Sequence, residues 1–301
     1  MHEAGGYLVR TNNWGFRSEF DFHEKKSDPN IKRILLFGDS FTAGEGVSNK
    51  KRYSDVLQSL LPNCEIYNFG LPGSGTDQQY LAFKEFATQI EFDLVIISVL
   101  VENIRRVNSQ FRFYYDEKGH KVVYPKPYFE IEGSKLILKN TPVPKNHLLF
   151  HDLSDSQKSK VDTGGRLLWL RALVTKYGMK DFFQKFIKYQ PLPEYSNSNN
   201  PEWILLKNIL TDWIKNFEKS KVVVMPIPLY YYIEGTSSPK NFQRRFQELG
   251  RELGISILDP LPHLSSYSDI EKREFRFKHD VHLTEKGHAA IAKFIKSNLV
   301  L

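Results

Sequence analysis

Three groups of residues have types and spacings suited to chemistry. The first is Ile34-Leu35-Leu36-Phe37 running into Gly38-Asp39-Ser40-Phe41-Thr42. An apolar run that ends abruptly in a serine sets a hydroxyl at the carboxyl end of a buried strand, where open α/β sheets build their sites. A serine hydroxyl is a weak nucleophile and needs a neighbouring base. Its own N–H, at the start of a helix, is free to face a developing oxyanion. The competing reading is a helix cap, since Asp and Ser are both favoured there.

The second group closes the chain: His279-Asp280-Val281-His282-Leu283-Thr284. An imidazole to take the hydroxyl proton and a carboxylate to orient it are what a serine hydrolase requires. Asp280 and His282 supply both from one loop. Metal ligation is the rival use, but it needs a third ligand that the local sequence does not provide. His288, four residues into the following pattern, reads as a structural histidine. The third group is Asn68-Phe69-Gly70-Leu71-Pro72-Gly73-Ser74-Gly75-Thr76-Asp77-Gln78-Gln79. Glycines between a strand and a helix let backbone N–H groups approach a charged group closely. The phosphate-binding lysine pattern is absent, and a plain loop is the alternative.

These groups need a scaffold. Short β-branched apolar runs at Ile34–Phe37, Glu65–Asn68, Leu94–Val101, Lys221–Pro226 and Ile255–Leu258 read as strands buried on both faces. Helical patterns alternate with them at Tyr53–Leu61, Thr76–Gln89, Pro201–Lys219, Asn241–Leu253 and Thr284–Leu299. The alternation predicts a three-layer α/β/α sandwich around a five-stranded parallel sheet. Residues 105–200 break the rhythm. Arg112–Tyr115, Lys121–Tyr124 and Lys135–Leu138 read as short antiparallel strands, and Gly165–Gln190 as helical. The chain is therefore expected to be one domain, 1–301, with an insertion or cap at about 105–200.

Composition narrows the function classes. The chain has 301 residues, 41% hydrophobic and 26% charged, ordinary for a globular protein with a sizeable core. Leu94–Val101, apolar but for Ser98, is too short to span a bilayer as a helix, which needs about 20 residues. No apolar h-region opens the chain, so the expectation is a cytoplasmic protein without a secretory signal. One cysteine, Cys64, excludes an internal disulfide and a cysteine-built metal site. Net charge is 42 − 35 = +7. The basic residues are scattered among nearly as many acids and no recognition motif accompanies them, so no nucleic-acid partner is expected.

Taken together, the three groups resemble the SGNH, or GDSL, hydrolase family, over most of the chain from about Ile34 to the end. Gly38-Asp39-Ser40 is similar to its first block, Asn68–Gly73 to its second, and Asp280 with His282 to its last. Asn12-Asn13-Trp14-Gly15-Phe16-Arg17 and the Gly73–Gln78 run are similar to segments of a bacterial subgroup that suggests carbohydrate esterases. The resemblance implies a flavodoxin-like fold and a serine esterase without cofactor or metal. Ser40 would be the nucleophile, His282 the base, and Asp280 its partner. Ser40 N–H, Gly73 N–H and the Asn103 amide would form the oxyanion hole. The last block usually spaces Asp and His by three residues, here by two. The third block usually reads Asn-Asp, whereas Val101-Glu102-Asn103-Ile104 stands here, so either Glu102 or Asn103 takes the asparagine position, with Asn103 favoured. The implied reaction is hydrolysis of O-acyl esters, O-acetyl above all. Aromatics in the insertion (Phe111, Phe113, Tyr114, Tyr115, Tyr124, Tyr128, Phe129, Trp169) and Tyr230-Tyr231-Tyr232 favour a glycan substrate. An acyltransferase to a glycan, a lipid esterase and a catalytically decayed glycan-binding module are the alternatives.

Overall fold

A computed structural model describes residues 6–162 and 190–299. Five strands form one parallel sheet: β1 (Lys32–Gly38), β2 (Cys64–Gly70), β3 (Leu94–Leu100), β10 (Val222–Ile227) and β11 (Ser256–Ile257). Their spatial order is β11-β10-β3-β1-β2, with β1, β3 and β10 in the middle. All seven residues of β3 are buried, as are Ile34 to Phe37 of β1. A strand covered on both faces has no reason to alternate polar and apolar residues, hence the ILLF run and LVIISVL, whose one polar residue, Ser98, accepts the Tyr53 hydroxyl at 3.0 Å. Each fully buried Leu, Ile or Val side chain contributes about 1.5–3 kcal/mol over an exposed one.

Parallel neighbours require crossovers. Helices α2 (Tyr53–Leu60) and α3 (Thr76–Ala82) serve β1–β2 and β2–β3, and helices Pro201–Ile214 and Lys240–Leu253 serve the far side. A closing helix, Glu285–Asn298, packs beside α2. The helical pattern over Thr76–Gln89 divides. After Ala82 the chain takes one π-turn, Phe83–Ala87, which buries Phe83 and Ala87 while Lys84 to Phe86 face outward. The pattern over Pro201–Lys219 stops as a helix at Ile214. There the apolar stripe gives out, and the Asn216 amide turns back onto the carbonyls of Asp212 and Trp213.

The insertion builds its own sheets. Strands β4 (Phe111–Tyr115), β5 (Lys121–Pro125), β8 (Leu148–Leu149) and β9 (Val161–Asp162) form one, in the order β8-β5-β4-β9. β6 (Tyr128–Glu132) and β7 (Lys135–Lys139) form a separate hairpin. β6 was not anticipated, because its apolar and acidic residues are too few to show a period. Phe111, Val123, Leu153 and Val161 make a small core distinct from that of the main sheet. The expected helix at Gly165–Gln190, with Trp169, lies outside the described residues apart from Gln190. Among the described residues no helix is long and apolar enough to cross a membrane.

Candidate active site

Register places the nucleophile turn. β1 and β2 run in step so that Gly38 lies beside Gly70, and the Leu71 N–H donates to Gly38 O at 2.9 Å. The single turn α1 (Ser40–Ala43) then sits on the end of the sheet. Its approach is so close that a Cβ on Gly70 would lie 2.3 Å from the Ala43 nitrogen. Asp39 caps the turn, its Oδ1 accepting the Phe41 N–H at 3.0 Å. Gly44 ends it in the left-handed conformation, φ 77°.

The N-terminal Asn12–Arg17 segment holds this turn from behind. Asn12 Oδ1 accepts the N–H groups of Trp14 and Phe16 at 3.0 Å each, which folds the segment back. Arg17 then donates to the carbonyls of Gly44 at 2.6 Å and Ala43 at 3.2 Å. These are the orphan acceptors at the end of α1. Burial, with Arg52 nearby, lowers the Arg17 pKa to about 10. Asn68 ties the second group to the first: its Nδ2 donates to Thr42 O at 2.8 Å and its Oδ1 accepts the Gly70 N–H at 2.8 Å.

The last loop reaches the serine from the other side. Phe277 N–H donates to His282 O at 3.2 Å and Thr284 N–H to Phe275 O at 2.9 Å, and Thr284 caps the closing helix. His282 Nε2 stands 2.8 Å from Ser40 Oγ, across 242 positions of sequence. His282 Nδ1 stands 2.6 Å from Asp280 Oδ1. The same Oδ1 accepts the His282 N–H at 2.9 Å. The two-residue spacing works because an Asx turn lets one carboxylate oxygen meet both the backbone and the ring of the residue two positions on. The tautomer that satisfies both contacts carries its proton on Nδ1, leaving Nε2 to accept from the serine.

Asn103 opens the short helix α4 (Asn103–Arg106) at the end of β3 and is fully buried. Its amide lies close enough to Asp39 to favour the ionised carboxylate, yet neither Nδ2 nor Oδ1 meets a partner in good hydrogen-bond geometry. Glu102 is only partly buried, and its charge bears on Arg105. Asn103, not Glu102, is therefore the side chain buried beside the nucleophile turn. Gly73 lies in the β2–α3 loop with φ 73°. His288 lies within the closing helix, buried, its Nδ1 accepting the Tyr53 N–H at 3.2 Å.

Arg106 is the organising residue that the sequence reading passed over. Its Nη1 donates to Asp39 Oδ2 at 3.0 Å and to Ser74 O at 3.2 Å, so one guanidinium joins the nucleophile turn to the glycine loop. Burial pushes the Asp39 carboxyl up, against Arg106, the Phe41 N–H, His282 and Asn103. The signal for Arg106 was available: it sits one helical turn after Asn103, on the same face. Behind the loop, Asp77 pairs with Lys126 of the insertion, both buried. Among the described residues no cluster of three or more His, Cys, Asp or Glu side chains is placed to hold a metal.

A parallel five-stranded α/β sheet with a serine, an imidazole and a carboxylate in line at its carboxyl edge is the arrangement that a serine hydrolase requires. A family model, GDSL-like Lipase/Acylhydrolase, matches residues 36–290, and the chain belongs to that family. Solved structures with similar architecture include a member of the lipolytic protein G-D-S-L family from Veillonella parvula. It is 11% identical with TM-score 0.47, and the alignment covers 89% of this chain and 98% of that one. The lipase/acylhydrolase from Enterococcus faecalis is 14% identical with TM-score 0.46, over 90% of this chain and 98% of that one. The acetyl xylan esterase AlAXEase is 14% identical with TM-score 0.46, over 89% of this chain and all (100%) of that one. No curated protein matches the chain in sequence.

Proposed function

We propose that the protein is a serine esterase that removes O-acetyl groups from a carbohydrate through an acyl-enzyme. The observation that carries this reading is the contact of His282 Nε2 with Ser40 Oγ at 2.8 Å, backed by Asp280 at 2.6 Å. His282 takes the hydroxyl proton as Ser40 Oγ attacks the ester carbonyl, and Asp280 stabilises the imidazolium that forms. The oxyanion is held by Ser40 N–H, Gly73 N–H and the Asn103 amide. Ser40 is the first residue of a helix, so its N–H has no intrahelical acceptor. Asn103 is a buried amide without a good partner of its own. Each such donor lowers the barrier by about 3 kcal/mol. His282 next returns the proton to the departing sugar hydroxyl, and water, activated by the same imidazole, releases acetate.

A short acyl group is favoured by the crowding around the base. The Phe41 ring lies 5.1 Å from that of His282. A sugar on the leaving side is supported by exposed tyrosines on the insertion, Tyr114 (52% exposed) and Tyr124 (40%), whose rings suit stacking.

The test is hydrolysis of p-nitrophenyl acetate by the wild type and Ser40→Ala. Turnover that the substitution reduces by at least about 10³-fold is expected, since nucleophile and base act as a unit. Equal turnover in both proteins, or none in either, would overturn the esterase reading in favour of a binding module.

A further inference from the structure

The sheet β8-β5-β4-β9 has two unlike faces. Phe111, Phe113 and Val123 turn inward onto Leu153, Phe150 and Val161. Residues alternate along a strand, so Arg112 and Tyr114 of β4, and Tyr124 opposite Arg112 in register, share the other face. The ring contact between Tyr114 and Tyr124, with centroids 5.6 Å apart, agrees with that assignment. At the inner end of this face stands Arg112. A methyl group placed on the Cα of Gly73 would lie 3.2 Å from both of its Nη atoms, so the guanidinium covers the glycine. Gly73 precedes Ser74, whose carbonyl shares the Nη1 of Arg106 with the Asp39 carboxylate. Arg112 therefore stands over the glycine loop that flanks the nucleophile.

Among the described residues Arg112 makes no ion pair and no side-chain hydrogen bond. The other arginines of this region are committed: Arg105 to Glu194 and Arg106 to Asp39. A half-buried guanidinium without a carboxylate is an unused anion site, and its planar fork matches a carboxylate or phosphate in bidentate fashion. Moving outward from it, the same face presents two exposed tyrosine rings, Tyr124 and Tyr114, packed edge to face.

Resting on the esterase reading, we propose that this face of the insertion is the leaving-group subsite, and that it selects esters of anionic sugars. The acid group of the sugar pairs with Arg112 while the ring stacks on Tyr124, its neighbour in register, with Tyr114 alongside. The oxygen bearing the acetyl group then points to Ser40. Arg112 is a specificity residue here. It takes no part in bond making, so its effect falls on the choice among sugars.

The experiment compares kcat/KM for O-acetylated polygalacturonate with that for O-acetylated xylan, a neutral polymer. The wild type is expected to prefer the acidic polymer by about 10-fold or more, the size of one good charged hydrogen-bonded contact. Arg112→Gln brings the ratio close to one, and Arg112→Lys keeps part of it. Lys118→Gln, an exposed cation in the turn between β4 and β5, keeps the wild-type ratio and excludes a general charge effect. Inhibition of p-nitrophenyl acetate turnover by trigalacturonate, by glucose 6-phosphate and by neutral xylotriose separates a carboxylate from a phosphate preference. Equal rates on the two polymers in the wild type, or a preference that survives in Arg112→Gln, would overturn the proposal. So would an equal fall on both polymers in Arg112→Gln. Turnover of p-nitrophenyl acetate that depends on Ser40 keeps the esterase reading standing in each of those cases, whereas its absence would end both.

Discussion

Replacing Asp280 by Asn isolates the carboxylate charge from its geometry. The Oδ1 atom accepts two hydrogen bonds, from the His282 N–H at 2.9 Å and from the ring at 2.6 Å. An asparagine carbonyl held by the same backbone N–H can accept both, so the loop is retained and the negative charge is lost. That charge matters when His282 holds the serine proton. The imidazolium charge is spread over the ring, which sets the effective separation at roughly 4 Å. Across it the attraction is about 1 kcal/mol in water and about 4 kcal/mol at an effective dielectric of 20. The side chains of His282 and Asp280 are 19% and 29% exposed, between those limits. A loss of about 2–3 kcal/mol follows, or about 30- to 150-fold in kcat/KM. The assay is p-nitrophenyl acetate hydrolysis under steady-state conditions, with urea unfolding to verify that the variant is folded. A loss below about 3-fold in a folded variant would refute the reasoning, because the carboxylate would then be stabilising nothing that forms during the reaction.

Three further expectations concern the same scaffold. On the proposed mechanism Asn103→Ala removes one oxyanion donor and is expected to lower kcat by about 10²–10³-fold; a variant with unchanged kcat would assign that amide to structure alone. Arg106→Gln strips the partner from Asp39, a carboxylate only 2% exposed, and costs about 3 kcal/mol of stability in urea titration, near the low end for broken buried pairs because Arg106 keeps some solvent contact. Burial, with Arg52 and Arg17 nearby, lowers the His288 pKa from 6.5 to about 3. The folded form therefore refuses a proton that the unfolded chain accepts. Stability contributed by the neutral ring is present above pH 6.5 and is lost as pH falls toward 3. Between pH 7.5 and 5.5 the loss is about 1.4 kcal/mol, read as a fall in the urea midpoint that His288→Gln suppresses; the same fall in that variant would place its origin elsewhere.

The strands of the main sheet were legible in the sequence because burial on both faces writes itself as largely apolar runs, ILLF and LVIISVL (with Ser98 alone polar) among them. Ser40, Asp280 and His282 were legible for a related reason: a serine ending a buried strand and an Asp-x-His ahead of a capped helix are local patterns. The π-turn after Ala82 and the early end of the helix at Ile214 were not, since both depend on which neighbours receive a residue. Nor was β6, whose partner strand supplies the pairing that its own composition does not announce.

What the sequence settled by itself is the inventory and the local turns: which strand ends in a serine, and which loop carries an imidazole two residues after a carboxylate. Only the folded chain decided that those two loops, 242 positions apart, meet at 2.8 Å. It also decided that Asn103, not Glu102, is buried beside Asp39, and that Arg106 and Arg112 converge on one glycine loop. The physical reason is that periodicity reports the burial of one element against an unspecified neighbour. Contacts between side chains on different elements depend on strand order and register, which no single segment encodes.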